Sequence, residues 1–452
     1  MSVQLVIFLI IFFAIAILAV ITYCIVRPIT LTHRAIEYYN SLTKLLPWYA
    51  KPYNNRGLVY FERGEYQRAI QDYNRALALN SRLFQAYNNR GLVYYKLKEY
   101  QRAIEDYDRA LALNPAYVLA YVNRGVAYHD IDEYQKAIED YNHALTLKPR
   151  DAMAYLNRGW LYHSLGEYEK AIQDCKFVLV LNPKLVQACV CIGRAYEGLG
   201  DHYRAIQSYN KALALDARDS PAYLYRAWAF YVLKEYRFAI TDLDHVIELA
   251  PNDFLGYHSR GLAYSGIKEY QLALADYDRT LVLNPSYATA YYHRGFAYLR
   301  LGNIERARVD FLKGREYDPQ SVRTAWMIEW IGMCLEKPGV EEAEQLEQTA
   351  AIDPQHHDAY ICRGVALWLR DKLEQALAEL EQAAQKEPDA DTHFWMGMIY
   401  ASLKRDGQAI AAIQKSLESG LPPVLLASLR WLERTRPEFY ENYAKALLAR
   451  HQ

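Results

Sequence analysis

The eight residues YNNRGLVY occupy positions 53–60, and the same eight letters return at 87–94, thirty-four residues later. Aligned on the glycine, Gly57, Gly91, Gly125, Gly159, Gly193, Ala227, Gly261 and Gly295 follow one another at steps of thirty-four. Around each lies nearly the same frame, shown by the second copy: Tyr87 four before, Tyr94 three after, Ala103 twelve after, Tyr107 four beyond that, and a closing Pro115. Apolar residues at steps of three and four mark two amphipathic helices per unit, separated by KEY or GEY in the middle and by LNP at the end. A fixed period of this length means a stacked array and takes precedence over any count of globular domains based on length.

At these residues the chain resembles the tetratricopeptide repeat family, in register eight times over. The resemblance implies an all-α fold, a right-handed α-solenoid of about eleven 34-residue helix-turn-helix repeats with a concave inner face. Small residues such as Gly57 and Ala69 fit where two helices cross closely. The expected organisation is a transmembrane segment within 1–29, a half repeat at 30–48 whose AIEYYNSLTKLLP matches only a second helix, and eight regular repeats over 49–319. A degenerate repeat with two further repeats follows over 320–422, and capping helices over 423–452.

The slot before the glycine is leucine in a typical member of the family, and here it is usually arginine. A guanidinium between two helices is costly unless a charge meets it. An acid stands sixteen residues later, on the facing helix: Arg56 with Asp72, Arg90 with Asp106, Arg124 with Asp140, Arg158 with Asp174. The series continues through Arg226 and Asp242, Arg260 and Asp276, Arg294 and Asp310, and Arg363 and Glu379. Where the arginine is replaced by Ile192 or Met396, the acid is replaced by Ser208 or Ala412. Joint loss is what an ion pair within the repeat requires. An arginine ladder gripping a ligand's carboxylates gives no reason for the acid to vanish as well.

Residues 3–26, VQLVIFLIIFFAIAILAVITYCIV, carry no charge and as a helix reach about 36 Å, enough for a hydrocarbon core of about 30 Å. They read as a single-pass anchor and not as a cleaved signal, which wants a basic start and a shorter apolar stretch. Arg27, Arg34, Lys44 and Lys51 all follow the segment, which places the array on the cytoplasmic side. With 52 basic and 53 acidic residues the chain lacks the basic footprint of a nucleic-acid binder. The six cysteines form no CxxC, and Cys189 and Cys191, two apart on a helix, point in different directions. His129 and His163 read as packing residues without a third ligand, and the HH at 356–357 as polar surface. No phosphate loop or nucleophile elbow is present, so neither enzyme activity nor a metal or cofactor is expected.

First helices carry a second apolar face, which in the family lines the groove: Leu58, Phe61, Leu92, Tyr95, Trp160, His163, Trp228, Tyr231 and Phe296, with Asn54 beside Leu58. Rigid aromatic surface suits a protein or peptide partner with apolar anchors. The function expected is a membrane-anchored scaffold. The alternative is a non-catalytic accessory subunit of a membrane or envelope enzyme complex, and an enzyme in its own right would need a pocket of titratable groups near Trp326 and Trp330.

Overall fold

The computed structural model describes residues 27–335 and 340–451. The candidate anchor at 3–26 lies outside these residues, and among them no helix is long and apolar enough to cross a membrane. A first helix, Arg27–Leu45, precedes eleven helix pairs. Repeats 1 to 5 are Ala50–Glu62 with Tyr66–Leu79, Phe84–Lys96 with Tyr100–Leu113, Val118–Asp130 with Tyr134–Leu147, Ala152–Ser164 with Tyr168–Leu181, and Val186–Gly198 with His202–Leu215. Repeats 6 to 8 are Ser220–Val232 with Tyr236–Leu249, Phe254–Gly266 with Tyr270–Leu283, and Ala288–Arg300 with Ile304–Tyr317. Repeats 9 to 11 are Val322–Leu335 with Val340–Ile352, His357–Leu369 with Leu373–Lys386, and Ala390–Ser402 with Asp406–Glu418. The described residues contain no strand. The chain forms two compact units, Met1–Ala217 and Arg218–Gln452. The sequence pattern breaks after Pro319, whereas the division into units falls between repeats 5 and 6.

The turn between the helices of a repeat needs one residue in the left-handed region, supplied by Gly64 at φ 73° in GEY and by Lys98 at φ 63° in KEY. Behind Lys98, the Glu99 N–H donates to the Tyr94 carbonyl at 2.8 Å, closing the first helix. The two helices then cross at the glycine. A Cβ on Gly57, Gly91 or Gly125 would stand 2.7 Å from the ring of Tyr73, Tyr107 or Tyr141, so the bare glycine is the seat of the tyrosine. In repeat 6 Ala227 stands in place of the glycine and Leu243 in place of the tyrosine.

Each arginine before the glycine is found paired as its spacing predicts. Arg124 grips Asp140 with two parallel bonds, Nε to Oδ2 at 2.8 Å and Nη2 to Oδ1 at 2.6 Å. The same fork joins Arg56 to Asp72, Arg90 to Asp106, Arg158 to Asp174, Arg226 to Asp242, Arg260 to Asp276 and Arg294 to Asp310. Tyr121 and Tyr128 flank the Arg124 guanidinium at 5.6 and 5.8 Å. The remaining nitrogen does something that the sequence reading did not anticipate. Nη1 donates backwards to the preceding repeat's second helix, from Arg90 to Asn74, Arg124 to Asp108, Arg158 to Asn142, Arg260 to Asp244 and Arg294 to Asp278, all at 2.5–2.6 Å. One guanidinium therefore holds three helices and sets the stacking of neighbouring repeats. Arg56 reaches Asn40 and Thr43 in Arg27–Leu45, so that helix serves repeat 1 as a preceding second helix.

Beyond repeat 8 the second unit departs from this scheme. The segment Pro423–Trp431 is a 3₁₀ turn, followed by short helices, and it folds back instead of extending the stack. Arg300 of repeat 8 donates to the Gly420 carbonyl at 2.7 Å, and Trp330 of repeat 9 to Ser428 at 3.2 Å. Trp431 lies 5.7 Å from Trp368 and 5.8 Å from Trp395, and one continuous apolar cluster runs from Leu299 to Leu448. Trp326 and Trp330 are fully buried in it.

The pair geometry makes its energetics testable. Asp140 is 6% exposed and Asp108 51%. Burial lifts the Asp140 carboxyl toward its neutral form, against the hydrogen bond and charge of Arg124. Losing Arg124 strands Asp140 and leaves Asp108 free to hydrate. Arg124→Leu is expected to cost about 3 kcal/mol or more, Arg124→Leu with Asp140→Leu to recover most of it, and Arg124→Leu with Asp108→Leu to recover little, by chemical denaturation. Equal losses in all three would reject the pairing.

Candidate functional site

The groove positions of the first helices separate into two kinds. Residues four after the glycine lean on the first tyrosine of the following helix: Phe61 on Tyr66 at 5.9 Å, Tyr95 on Tyr100 at 5.7 Å, His163 on Tyr168 at 5.6 Å and Tyr231 on Tyr236 at 5.4 Å. These aromatic pairs brace the corner of each repeat. The Tyr95 hydroxyl also donates to Asp130 at 2.6 Å, and His129 meets Ser164 at 3.2 Å, linking successive repeats. Residues one after the glycine keep more free surface. Leu58 is 39% and Trp228 47% exposed, while Leu92, Trp160 and Phe296 are half-buried. Trp228 stacks on Tyr231 with centroids 5.3 Å apart and planes within 15°, and Trp160 stands edge-on to His163 at 5.9 Å.

Asn54 does not face the groove as expected. It is buried and accepts from Asn89 at 3.2 Å, as Asn88 accepts from Asn123 at 2.9 Å, so the amides pair the first helices of repeats 1 to 3. The cysteine reading also changes. Cys175 fills a tyrosine slot opposite Gly159, and its thiol donates to Cys191 of the next repeat at 2.7 Å. That hydrogen bond, with burial, holds the Cys175 thiol far above its usual range, in favour of the protonated form.

His357 was expected on the surface, and its side chain is only 10% exposed. It opens the first helix of repeat 10 within a charged cluster joining repeats 9, 10 and 11. Arg323 Nη1 lies 2.6 Å from Asp358, 3.1 Å from Asp391 and 3.4 Å from Asp389, and its Nε donates to Tyr292 at 3.1 Å. Trp326 donates to Asp391 at 3.2 Å, His357 Nε2 meets Thr392 at 3.1 Å, and His356 lies 3.4 Å from Asp358. His357, Asp358 and Asp389 bring three ligand-type atoms within 4.8 Å of one another. The Arg323 guanidinium already occupies the negative centre that an ion would take.

Three carboxylates share one arginine, so the cluster favours an added proton. Burial foremost, with the charges of Asp389 and Asp358 adding and Arg323 opposing, pushes the Asp391 carboxyl up to about 6. A carboxyl raised above its unfolded value stabilises the fold below about pH 4 and loses that contribution as pH rises through about 6. His357 is raised as well: burial opposes its charge, and the hydrogen bond to Asp358 with the charge of Asp389 prevails. Its contribution is full below about pH 6.5 and is lost as pH rises through the higher folded value. Asp358 is held low by His357 and Arg323 against burial, so its contribution is lost only in acid. The full chain is expected to lose thermal stability between about pH 5 and pH 8. Asp391→Asn with His357→Gln should flatten that slope in tryptophan-monitored melts, and an unchanged slope would reject the assignment.

Family models described as TPR repeat match residues 57–98 and 267–302, and others described as tetratricopeptide repeat match 84–117, 118–151, 152–185, 186–219, 288–321 and 363–420. No curated protein matches the chain. Among solved structures it is similar to a tetratricopeptide repeat protein from Parabacteroides merdae, at 24% identity and TM-score 0.44, over 55% of this chain and 98% of that one. It is also similar to YrrB, a TPR protein with an unusual peptide-binding site, at 22% identity and TM-score 0.35, over 40% and 92%. Yeast Tom70 aligns at 15% identity and TM-score 0.42, over 89% and 98%. With the glycine-seated tyrosines and the matched stretches covering more than half of its length, the chain belongs to the tetratricopeptide repeat family.

Proposed function

We propose that this protein is a non-catalytic scaffold that holds a protein or peptide partner on the inner faces of its first helices, tethered to a membrane through residues 3–26. The observation that carries the reading is the Trp228 platform. It is a large apolar ring left 47% exposed and fixed by stacking on Tyr231, which is itself braced on Tyr236. An exposed aromatic that is already ordered loses little conformational entropy on binding, which is how interface anchors gain affinity. Trp160 beside His163 offers a second such ring in the first unit.

The +4 aromatics support the platform and are not themselves the anchors, so the two rows should respond differently. Capture from native membranes with the full chain as bait is expected to lose its specific partners in a Trp160→Ala, Trp228→Ala variant. Leu58→Ala should have a smaller effect, because it removes less contact area. An unchanged set of partners with the double variant would remove the groove from consideration. Extraction of the chain from membranes by alkaline carbonate would count against the anchor, and digestion of the repeats from the non-cytoplasmic side of sealed membranes against the cytoplasmic placement.

A further inference from the structure

Repeat 9 breaks the rule on which every other repeat closes. Thirty-four residues after Gly295, the slot where the helices cross is held by Glu329, and the eighth residue of Val340–Ile352, the place of the tyrosine in the regular repeats, is Glu347. Elsewhere a Cβ added at the crossing glycine would meet the facing side chain at 2.4–3.1 Å. A glutamate cannot enter such a seat, so the two helices of repeat 9 stay apart. Gly332, one turn on, has nothing within 4 Å of where its Cβ would be. The gap is a cleft of about 630 Å³ between the second helix of repeat 8 and both helices of repeat 9. This volume falls within the range of small-molecule sites, about 300–1,000 Å³.

The walls of the cleft carry opposite charges. Arg308 and Arg315, seven apart on Ile304–Tyr317, form one side, and Glu329 and Glu341 stand on the other two helices. None of these four makes an ion pair within 4.0 Å among the described residues, and the buried Nε of Arg308 has no hydrogen-bond partner there. Burial raises the Glu329 carboxyl, with the charge of Glu342, which also lines the cleft, adding to the shift, while Arg315 and Arg308 pull it back without touching it. Thr349 adds a hydroxyl to the lining, and Met333 and Ile352 add apolar surface.

We propose that the ninth repeat is a binding site for a free α-amino acid with an apolar side chain. Its carboxylate is met by Arg308, with Arg315 at the mouth, and its ammonium by Glu329, with Glu341 outside. A zwitterion satisfies both walls at once, whereas an anion or a cation alone leaves one wall's charges unmatched. The site lies away from the platform of the first helices and does not depend on the partner-binding reading.

The test uses the full chain in detergent, with each of the twenty free L-amino acids as probe in thermal-shift measurements and then calorimetry. Acetate and methylammonium serve as probes carrying one charge each. At least one apolar amino acid should bind saturably and raise the melting temperature by about 2 °C or more at about 10 mM. Both single-charge probes should bind at least about tenfold more weakly. Arg308→Gln and Glu329→Gly should each weaken binding by about tenfold or more. Glu329→Gly also restores the residue of the other repeats, so it should melt no lower than the parent chain. The proposal fails if no amino acid gives saturable heat, if acetate binds as tightly as the best amino acid, or if neither substitution changes the affinity.

Discussion

One guanidinium with donors aimed in two directions is the constraint on which the regular part of this protein rests. A leucine in the same slot would fill the space between two helices and say little about a third. The planar fork fixes direction: two nitrogens are taken by the aspartate sixteen residues on, and the third can only point to the side chain sixteen residues back. The arginine is thus both a bolt within a repeat and a gauge between repeats. Side chains at the pair are 17–22% exposed on the arginine and 4–8% on the aspartate. Water reaches the edge of the bolt and not its seat. Such polar pairs stabilise little compared with apolar replacements of the same shape, and their value is in excluding other registers.

The chain beyond repeat 8 solves the same stacking problem largely by other means. In repeat 9 the arginine bolt lapses, with Ile328 in its slot and Leu312 where its backward acceptor would be, and in repeat 10 it returns as a single bond from Arg363 to Glu379. In its place stand buried tryptophans, a fold-back of 423–451 onto repeats 8 to 11, and a charged knot around Arg323. Apolar packing is indifferent to direction, so repeat geometry can vary here, and it does: a crossing is propped open by Glu329 and the closing segment is a 3₁₀ turn instead of a helix.

The sequence made legible what recurs and concealed what happens once. The period, the helix pairs and the Arg–Asp spacing each appear many times over, so a single chain supplies its own comparison. The backward acceptor was equally readable, since Asn74, Asp108, Asn142, Asp244 and Asp278 hold one position of the repeat. It joins two successive repeats, so it shows only when the alignment is read across a repeat boundary. At repeat 5, Ile192 coincides with Lys176 in place of that Asn or Asp, as a three-way bond requires. The Cys175–Cys191 contact spans the same sixteen residues as the backward bond but occurs once, and the burial of His357 and the fold-back also occur once, so repetition marks none of them. Helical spacing puts the +1 and +4 residues on one face but does not tell which of them a neighbouring tyrosine will claim.

The backward bond gives the coding sequence a particular freedom. Because Asn or Asp at one fixed place serves whichever arginine comes next, a 34-residue segment duplicated or deleted among repeats 1 to 3 would present every new junction with the partners it needs. The array can change length there by slippage without any compensating substitution. At the junction of repeats 4 and 5 the same event would set Lys176 against an incoming guanidinium. That junction is a point at which the ancestry of the array has become fixed in order as well as in number.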